Sequence, residues 1–495
     1  MLKQKLSFIL LLIFWFNFLY AQNQEVVFLQ INDTYEIAPL ANGAEGGMAR
    51  VATLFKQLKQ QNPNSFFIHA GDFLNPSVLG VLKHEGKRIK GKQMVEVMNT
   101  MGIDYVTFGN HEFDLELSDL QERLNESKFT WVCTNLKQRT EEGVIPFYSQ
   151  QQPLPTYKII KAGNLKIGVL GLTLFTDKHY LFVENLLQRA KETYNLIKDS
   201  TDFVVAITHQ NIEDDRILAQ ELPDLKLIMG GHEHDNMAET IGSVAIRKAD
   251  ANVKTAYIHR LTYNSQTKQV TLKSELKKID PTLTDDEKTA VAVQKWLVIA
   301  DMSLKNMGFD PEEVLMTTTE PLNGLESQVR TTSTNLSRIV GKAFKEAVPN
   351  SVAVVYNGGS IRIDDKLNGK ITQYDVVRIL PFGGGLIEIK ITGNLLHKIL
   401  DTGLANRGKG GWLHTEGVER KGKKWKIGGK KLRTHEHYQI AIPEFLLTGG
   451  ETNMEWLTEK NPEIIQIIKP DPKKTEDLRN DVRKALVTYM RKIGK

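Results

Sequence analysis

Five short apolar runs in this chain end on residues that can hold a metal ion or handle a proton. VVFLQIND ends on Asp33 and FFIHAGD on Asp72. YVTFGNHEFD carries Asn110, His111 and Asp114. VVAITH ends on His209, and LKLIMGGHEH carries His232 and His234. A sixth run, LKIGVLGLT, ends on Thr173 and brings no ligand. Short apolar runs bounded by turn residues read as buried strands. A strand that finishes in Asp, Asn or His presents that side chain at the carboxyl edge of its sheet, where open α/β sheets bind ligands. Several such edges side by side make an oxygen- and imidazole-rich pocket suited to divalent cations. That pocket points to hydrolysis assisted by two metal ions, with phosphate esters the leading substrates.

The rest of the chain agrees with an α/β class, α+β overall. From residue 22 to about 275 the apolar runs alternate with helical patterns such as GMARVATLFKQLKQQ and KQMVEVMNTMG, a rhythm that predicts a buried sheet with helices on its faces. AYIHRLTYN and VTLKSELKKI alternate polar and apolar residues and predict antiparallel strands. An amphipathic stretch at 285–308 reads as a connecting helix. Beyond residue 315 the punctuation changes to short strands with Gly-rich turns, which reads as a second, smaller α/β domain. The expected boundaries are a leader at 1–21, a first domain at 22–280, a linker at 281–314 and a second domain at 315–495. A length of 495 residues suits two domains.

Composition excludes several classes. The formal charge of +5 is weak for so long a chain and falls to +3 without Lys3 and Lys5. No clustered basic face suggests a nucleic acid polymer as partner. The densest basic run, KGKKWKIGGKK at 421–431, reads as a solvated hairpin. The single cysteine, Cys133, lies in an apolar run, so no disulfide forms within the chain and an inert buried thiol is expected. At the start, Lys3 and Lys5 precede the apolar run LSFILLLIFWFNFLYA, and Ala21-Gln22 offers a cleavage point. The run is short for a membrane span of about 20 residues. It reads as a cleaved export signal, giving a periplasmic or secreted product without a stable membrane anchor.

Each motif alone is weak. Taken in order, Asp33, Gly71-Asp72, GNHEFD at 109–114, Thr208-His209 and GHEH at 231–234 resemble the calcineurin-like metallophosphatases, and within them the bacterial 5'-nucleotidase family. NGGSIR, LPFGGGLIEIKITG and LLTGGETN carry the resemblance into the second half. It implies a metallophosphatase β-sandwich flanked by helices at 22–280, a linker helix at 281–314 and a 5'-nucleotidase C-terminal substrate-binding domain at 315–495. It also implies two divalent cations from among Zn, Mn, Fe, Co and Mg. Asp72 resembles the carboxylate shared by both. Asn110, His209 and His232 resemble the remaining ligands of one, and Asp33 and His234 those of the other. His111 resembles the histidine that stabilises or protonates the leaving oxygen, and Asp114 the residue that orients it. Arg330, Asn357 and Arg362 match positions that hold phosphate or its approach, and Trp412 matches one side of an aromatic clamp on the base.

The sequence departs from that pattern in three places. The family's usual Asp-x-His is Asp33-Thr34-Tyr35 here, so Tyr35 stands where an imidazole ligand is usual. Asn453 stands where the second clamp aromatic is usual, with Trp456 out of register. Thr334-Asn335-Leu336-Ser337-Arg338 replaces a loop that commonly holds a Gly-Asn pair. The expected substrate is therefore a 5'-nucleotide or another phosphate ester. The alternatives are a broader phosphomonoesterase, a phosphodiesterase acting on cyclic nucleotides or nucleotide sugars, and, in a different class, a metal-depleted nucleotide-binding protein.

Overall fold

The structure is a computed structural model that describes residues 23–495; the expected leader at 1–21 lies outside the described residues. The chain divides into two compact units, one extending to Ala300 and one spanning Asp301–Lys495.

In the first unit the apolar runs form strands and the periodic stretches form helices. In chain order these are β1 (Asn23–Ile31), α1 (Met48–Gln61), β2 (Ser65–His69), α2 (Lys92–Met101), β3 (Tyr105–Val106), α3 (Leu117–Glu126), β4 (Thr130–Trp131), β5 (Tyr157–Ala162), β6 (Leu165–Thr173), α4 (Leu186–Ile197), β7 (Phe203–His209), α5 (Ile212–Glu221), β8 (Leu227–Gly231), β9 (Met237–Ile241), β10 (Val244–Lys248), β11 (Thr255–Asn264) and β12 (Val270–Lys278). They build two six-stranded sheets, ordered β12-β11-β1-β2-β3-β4 and β5-β6-β7-β8-β10-β9. β1 to β4 run parallel, and so do β6, β7, β8 and β10. β11 and β12 are antiparallel, as their alternation predicts.

The sheets face each other across one apolar layer. Val26, Phe28 and Leu261 of the first meet Ile167, Val205 and Ile207 of the second. Helices cover the outer faces: α4 and α5 pack Ala190, Ile197 and Leu218 on Leu170, Val204 and Ile228, and α1 sets Phe55 against Phe67 of β2 with ring centroids 4.8 Å apart. Each fully buried Val, Leu, Ile or Phe here contributes about 1.5–3 kcal/mol. The result is a β-sandwich flanked by helices, stiff enough to hold strained loops at its edge.

Strand register then aligns the ligand-bearing ends. Ile31 pairs with His69, so the chain leaves β1 toward Asp33 beside its exit from β2 toward Asp72. In the other sheet Thr173 pairs with His209, and His209 with Gly231.

The connecting helix α6 (Glu287–Asn306) falls inside the 281–314 drawn for the linker. Asp286 caps its start, accepting the Thr289 N–H at 3.0 Å. At its end Gly308, at φ +85°, turns the chain away. In the second unit α7 (Asn335–Ala347), β13 (Ala353–Asn357), β14 (Leu386–Thr392), α8 (Gly393–Ala405), β15 (Leu413–Glu416), β16 (His437–Pro443) and β17 (Ile464–Ile468) lie around one mixed sheet of order β15-β13-β16-β14-β17. The basic run near 421–431 forms exposed antiparallel strands. Cys133 is buried and unpaired with any other cysteine, and burial pushes its thiol up to about 12.

Candidate metal centre

Asp33, Asp72 and His209 meet at the carboxyl edges of the two sheets, fully buried, with one ligand-type atom from each lying within 4.8 Å of the others. His209 Nε2 is 3.1 Å from Asp72 Oδ2 and 3.9 Å from Asp33 Oδ1. His234 Nε2 is 3.3 Å from Asp33 Oδ1. His232 places its ring 5.3 Å from that of His209. The loops after β1 and β2 are laced together: the Asp33 N–H donates to Gly71 O at 3.0 Å and the Thr34 N–H to Asp72 O at 2.9 Å.

The backbone here is unusual. Asp33, Asp72, His232 and His234 have φ of +50°, +61°, +96° and +65°, a region that non-glycine residues seldom adopt. Such conformations cost on the order of 1–3 kcal/mol each and cluster at functional sites. Gly109 shows how closely the loops approach: a Cβ there would lie 2.1 Å from Asp72 Oδ1.

Burial and charge oppose each other in this pocket. Burial alone would raise the Asp33 carboxyl, but the His209 and His234 imidazoles outweigh it and hold Asp33 at about 2. Asp72 is held further below the carboxylate range: burial opposes, while His209, His111 and the His111 N–H at 2.7 Å favour the anion. Burial disfavours the charged form of His209, yet the two aspartates lift it to about 10. His232 is pushed down to about 4, chiefly by burial and then by His209.

The donor set fits divalent cations. His209 Nδ1 donates to Ala70 O at 2.8 Å, which leaves Nε2, on losing its proton, as the nitrogen that would meet a cation beside the aspartates. Among the described residues Asn110 Oδ1 is a buried acceptor with no hydrogen-bond partner, and Asp33 Oδ1 faces the His234 and His209 imidazoles, an arrangement that a cation would satisfy. Carboxylate, amide oxygen and imidazole together suit borderline to hard divalent ions.

Tyr35 reaches into the same pocket. Its hydroxyl is 3.2 Å from Asp72 Oδ2 and 3.1 Å from His234 Nε2. At the rim, His111 Nδ1 bonds Asp114 Oδ2 at 2.7 Å, and Asn75 Nδ2 donates to the same oxygen at 2.8 Å.

The side chain that sequence reasoning missed lies inside the third motif. Glu112 is fully buried and accepts four backbone N–H groups, those of Phe73 and Leu74 on Oε1 and of Asp72 and Gly109 on Oε2, at 2.6–3.0 Å. Burial, then the Asp72 charge, pushes it up to about 7. It ties the Asp72 loop to the Asn110–His111 loop. Each oxygen serves two donors, so Glu112→Gln orphans two of them whichever way the amide points. At about 1–3 kcal/mol per orphaned donor, the loss is about 2–6 kcal/mol, read as a lower urea midpoint for the first unit. An unchanged midpoint would contradict this role.

The residues expected to bind substrate lie in the second unit. Asn357 is buried, its Nδ2 donating to Glu451 at 2.7 Å and its Oδ1 accepting from Ser360 at 2.5 Å. Arg330 pairs with Glu326 at 2.6 Å. The Arg362 guanidinium stands 5.8 Å over the exposed Phe382 ring. Trp412 adjoins Asn357, since Gly358 N–H donates to its carbonyl at 2.7 Å. Asn453 donates to Asn406 Oδ1 at 2.6 Å. Trp456 is covered by the Lys398 ammonium at 3.9 Å.

Comparison with known proteins agrees with both halves. Residues 26–236 match the family model for calcineurin-like phosphoesterases, and residues 314–459 that for the 5'-nucleotidase C-terminal domain. The 5'-nucleotidase of Rattus norvegicus is 23% identical over 468 residues, covering 82% of this chain and 78% of its own. The 5'-nucleotidase precursor of Thermus thermophilus has a TM-score of 0.73 at 18% identity, covering 95% of this chain and 97% of its own. The sulfate thiohydrolase SoxB of Thermus thermophilus, solved with glycerol, has a TM-score of 0.65 at 15% identity, covering 95% and 94%. At these identities the solved structures show a shared fold. With both halves matched, the chain belongs to the 5'-nucleotidase family, which joins a calcineurin-like phosphoesterase domain to a 5'-nucleotidase C-terminal domain, and is a metallophosphoesterase.

Proposed function

We propose that this chain hydrolyses 5'-nucleotides or closely related phosphate monoesters with two divalent cations held by Asp33, Asp72, Asn110, His209, His232 and His234. The observation that carries the reading is the buried convergence of Asp33, Asp72 and His209 beside the His111–Asp114 pair. When bound, the cations supply Lewis acidity toward phosphoryl oxygens and lower the pKa of an attacking water. Asp72 brings to the centre a carboxylate that stays ionised despite full burial. Asp114 accepts from His111 Nδ1 and favours the imidazolium, and His111 Nε2 is the atom assigned to protonate the leaving oxygen. Asn75 fixes Asp114 in turn. Arg330, Arg362 and Trp412 are proposed to select the substrate.

Hydrolysis of a panel of phosphate esters by metal-reconstituted protein tests this. A higher kcat/KM for nucleoside 5'-monophosphates than for simple alkyl phosphates supports the reading, and no hydrolysis of any ester contradicts it. The polar Asn453 where an aromatic is usual favours a second reading, a broader phosphomonoesterase. Equal kcat/KM across the panel would select it. We also propose export of the mature chain; an N-terminus at Gln22 in the mature protein would support this, and an intact leader would count against it. Among the described residues no helix is long and apolar enough to cross a membrane.

Tyr35 is proposed to act as a neutral hydrogen-bonding group, because an ordinary tyrosine pKa near 10 makes a phenolate ligand costly at neutral pH. Tyr35→Phe is then expected to keep its metal and much of its activity, and the purified protein to be colourless. A coloured iron protein bleached by Tyr35→Phe would instead make the phenolate a ligand.

A further inference from the structure

We propose that Lys248 and Glu233 are positioning residues for the metal centre, an ion pair buried at its lysine end that locks the turn bearing His232 and His234 to the loop after His209. The inference rests on the metal reading above and extends it to two side chains that are not among the proposed ligands.

Lys248, the last residue of β10, is almost wholly buried. Its ammonium has three protons and meets three acceptors: Gln210 O at 2.7 Å, Asp215 Oδ2 at 2.9 Å and Glu233 Oε2 at 2.5 Å. A buried ammonium is tolerated only when its donors are so matched. Each acceptor leads to a histidine. Gln210 follows His209 directly. Glu233 lies between His232 and His234. Asp215 Oδ1 accepts from Thr208 Oγ1 at 2.8 Å and from Gln210 Nε2 at 2.7 Å, the two residues flanking His209. The other oxygen of Glu233 accepts the Ile212 N–H at 2.5 Å, at the start of α5.

The clamp sits where the backbone most needs one. His232 and His234, on either side of Glu233, both hold positive φ, and such conformations persist only when their surroundings over-determine them. The Glu233 side chain is pinned at both oxygens, so it fixes the middle of that turn. The stem of Lys248 closes the space over β8: a Cβ on Gly230 would lie 2.9 Å from its Cε. Loosening the pair would let the two imidazoles leave the directions in which they face Asp33 and His209. Supporting groups of this kind typically change metal affinity 10–100-fold.

The test measures zinc affinity by competition with a chromophoric chelator, and records the visible spectrum of the cobalt(II)-substituted protein, for wild type, Glu233→Gln, Lys248→Met and the double variant Glu233→Gln/Lys248→Gln. Both single variants are expected to lose about 10–100-fold in zinc affinity at one site, with an altered cobalt spectrum showing a changed ligand arrangement. The double variant leaves one unmatched charge, the Asp215 carboxylate, where Lys248→Met leaves two, so it is expected to lose no more than Lys248→Met alone, and the two effects are non-additive. If Lys248→Met does not fold, Glu233→Gln and the double variant carry the comparison. Folded variants with wild-type zinc affinity and cobalt spectrum would overturn the proposal, even if their melting temperatures fell, because the pair would then be purely structural. Losses that add in the double variant would overturn the pairing. A wild-type protein that binds no zinc or cobalt would instead sink the metal reading itself.

Discussion

Asp72→Asn is expected to abolish nearly all turnover and to lower the metal content of the purified protein. Asp72 is fully buried, yet its carboxyl is held ionised by His209, by His111 and by the His111 N–H. An amide there removes the negative charge that would offset repulsion between two cations. It also places an NH2 group where an oxygen now faces either the His111 N–H or the pair of His209 Nε2 and the Tyr35 hydroxyl. Loss of metal-based stabilisation worth a few kcal/mol corresponds to about 10³-fold in rate. Elemental analysis beside steady-state kinetics checks both parts. Full metal occupancy with unchanged kcat would remove Asp72 from the centre.

His111→Ala is expected to behave differently, keeping its metal while losing on the order of 10²-fold or more in kcat, as positioned proton transfer typically contributes. The His111 ring is anchored to Asp114 at 2.7 Å, and the contact it makes with Asp72 is through its backbone N–H, which alanine retains. The loss should depend on the leaving group. An alkoxide needs a proton as it departs, whereas p-nitrophenolate is stable without one. A nucleoside 5'-monophosphate should therefore suffer the full loss and p-nitrophenyl phosphate far less. A uniform loss over both substrates would argue that His111 acts only by its charge or its packing.

Much of this centre was legible because each proposed ligand from the first unit sits at or just past the end of an apolar run. The run predicts the strand, and its last residues predict the sheet edge. Parallel register then brings Asp33 and Asp72 side by side without further information. The antiparallel strands β11 and β12 were legible from their alternation. What the chain order does not reveal is long-range matching of buried polar groups. Glu112 lies in plain view inside GNHEFD, but its four N–H partners come from loops up to 40 residues away. Lys248 is a lysine in an apolar strand, and only the fold shows that it is buried against Asp215 and Glu233. Tyr35 stands out in the sequence by its departure from the usual motif. Its hydroxyl contacts with Asp72 and His234 depend on the loop geometry. The ends of the connecting helix were legible too, because the Asp286 cap and the Gly308 turn that bound it are residue types favoured at helix termini.

The most direct measurement is metal stoichiometry followed through hydrolysis. The protein is stripped with a chelator, then titrated with a single divalent ion while phosphate release from a nucleoside 5'-monophosphate is recorded. The account predicts an inactive metal-free protein that folds normally, and activity restored to a plateau at two ions per chain. Full hydrolytic activity in the metal-free protein, or a plateau at one ion, would contradict the two-cation centre.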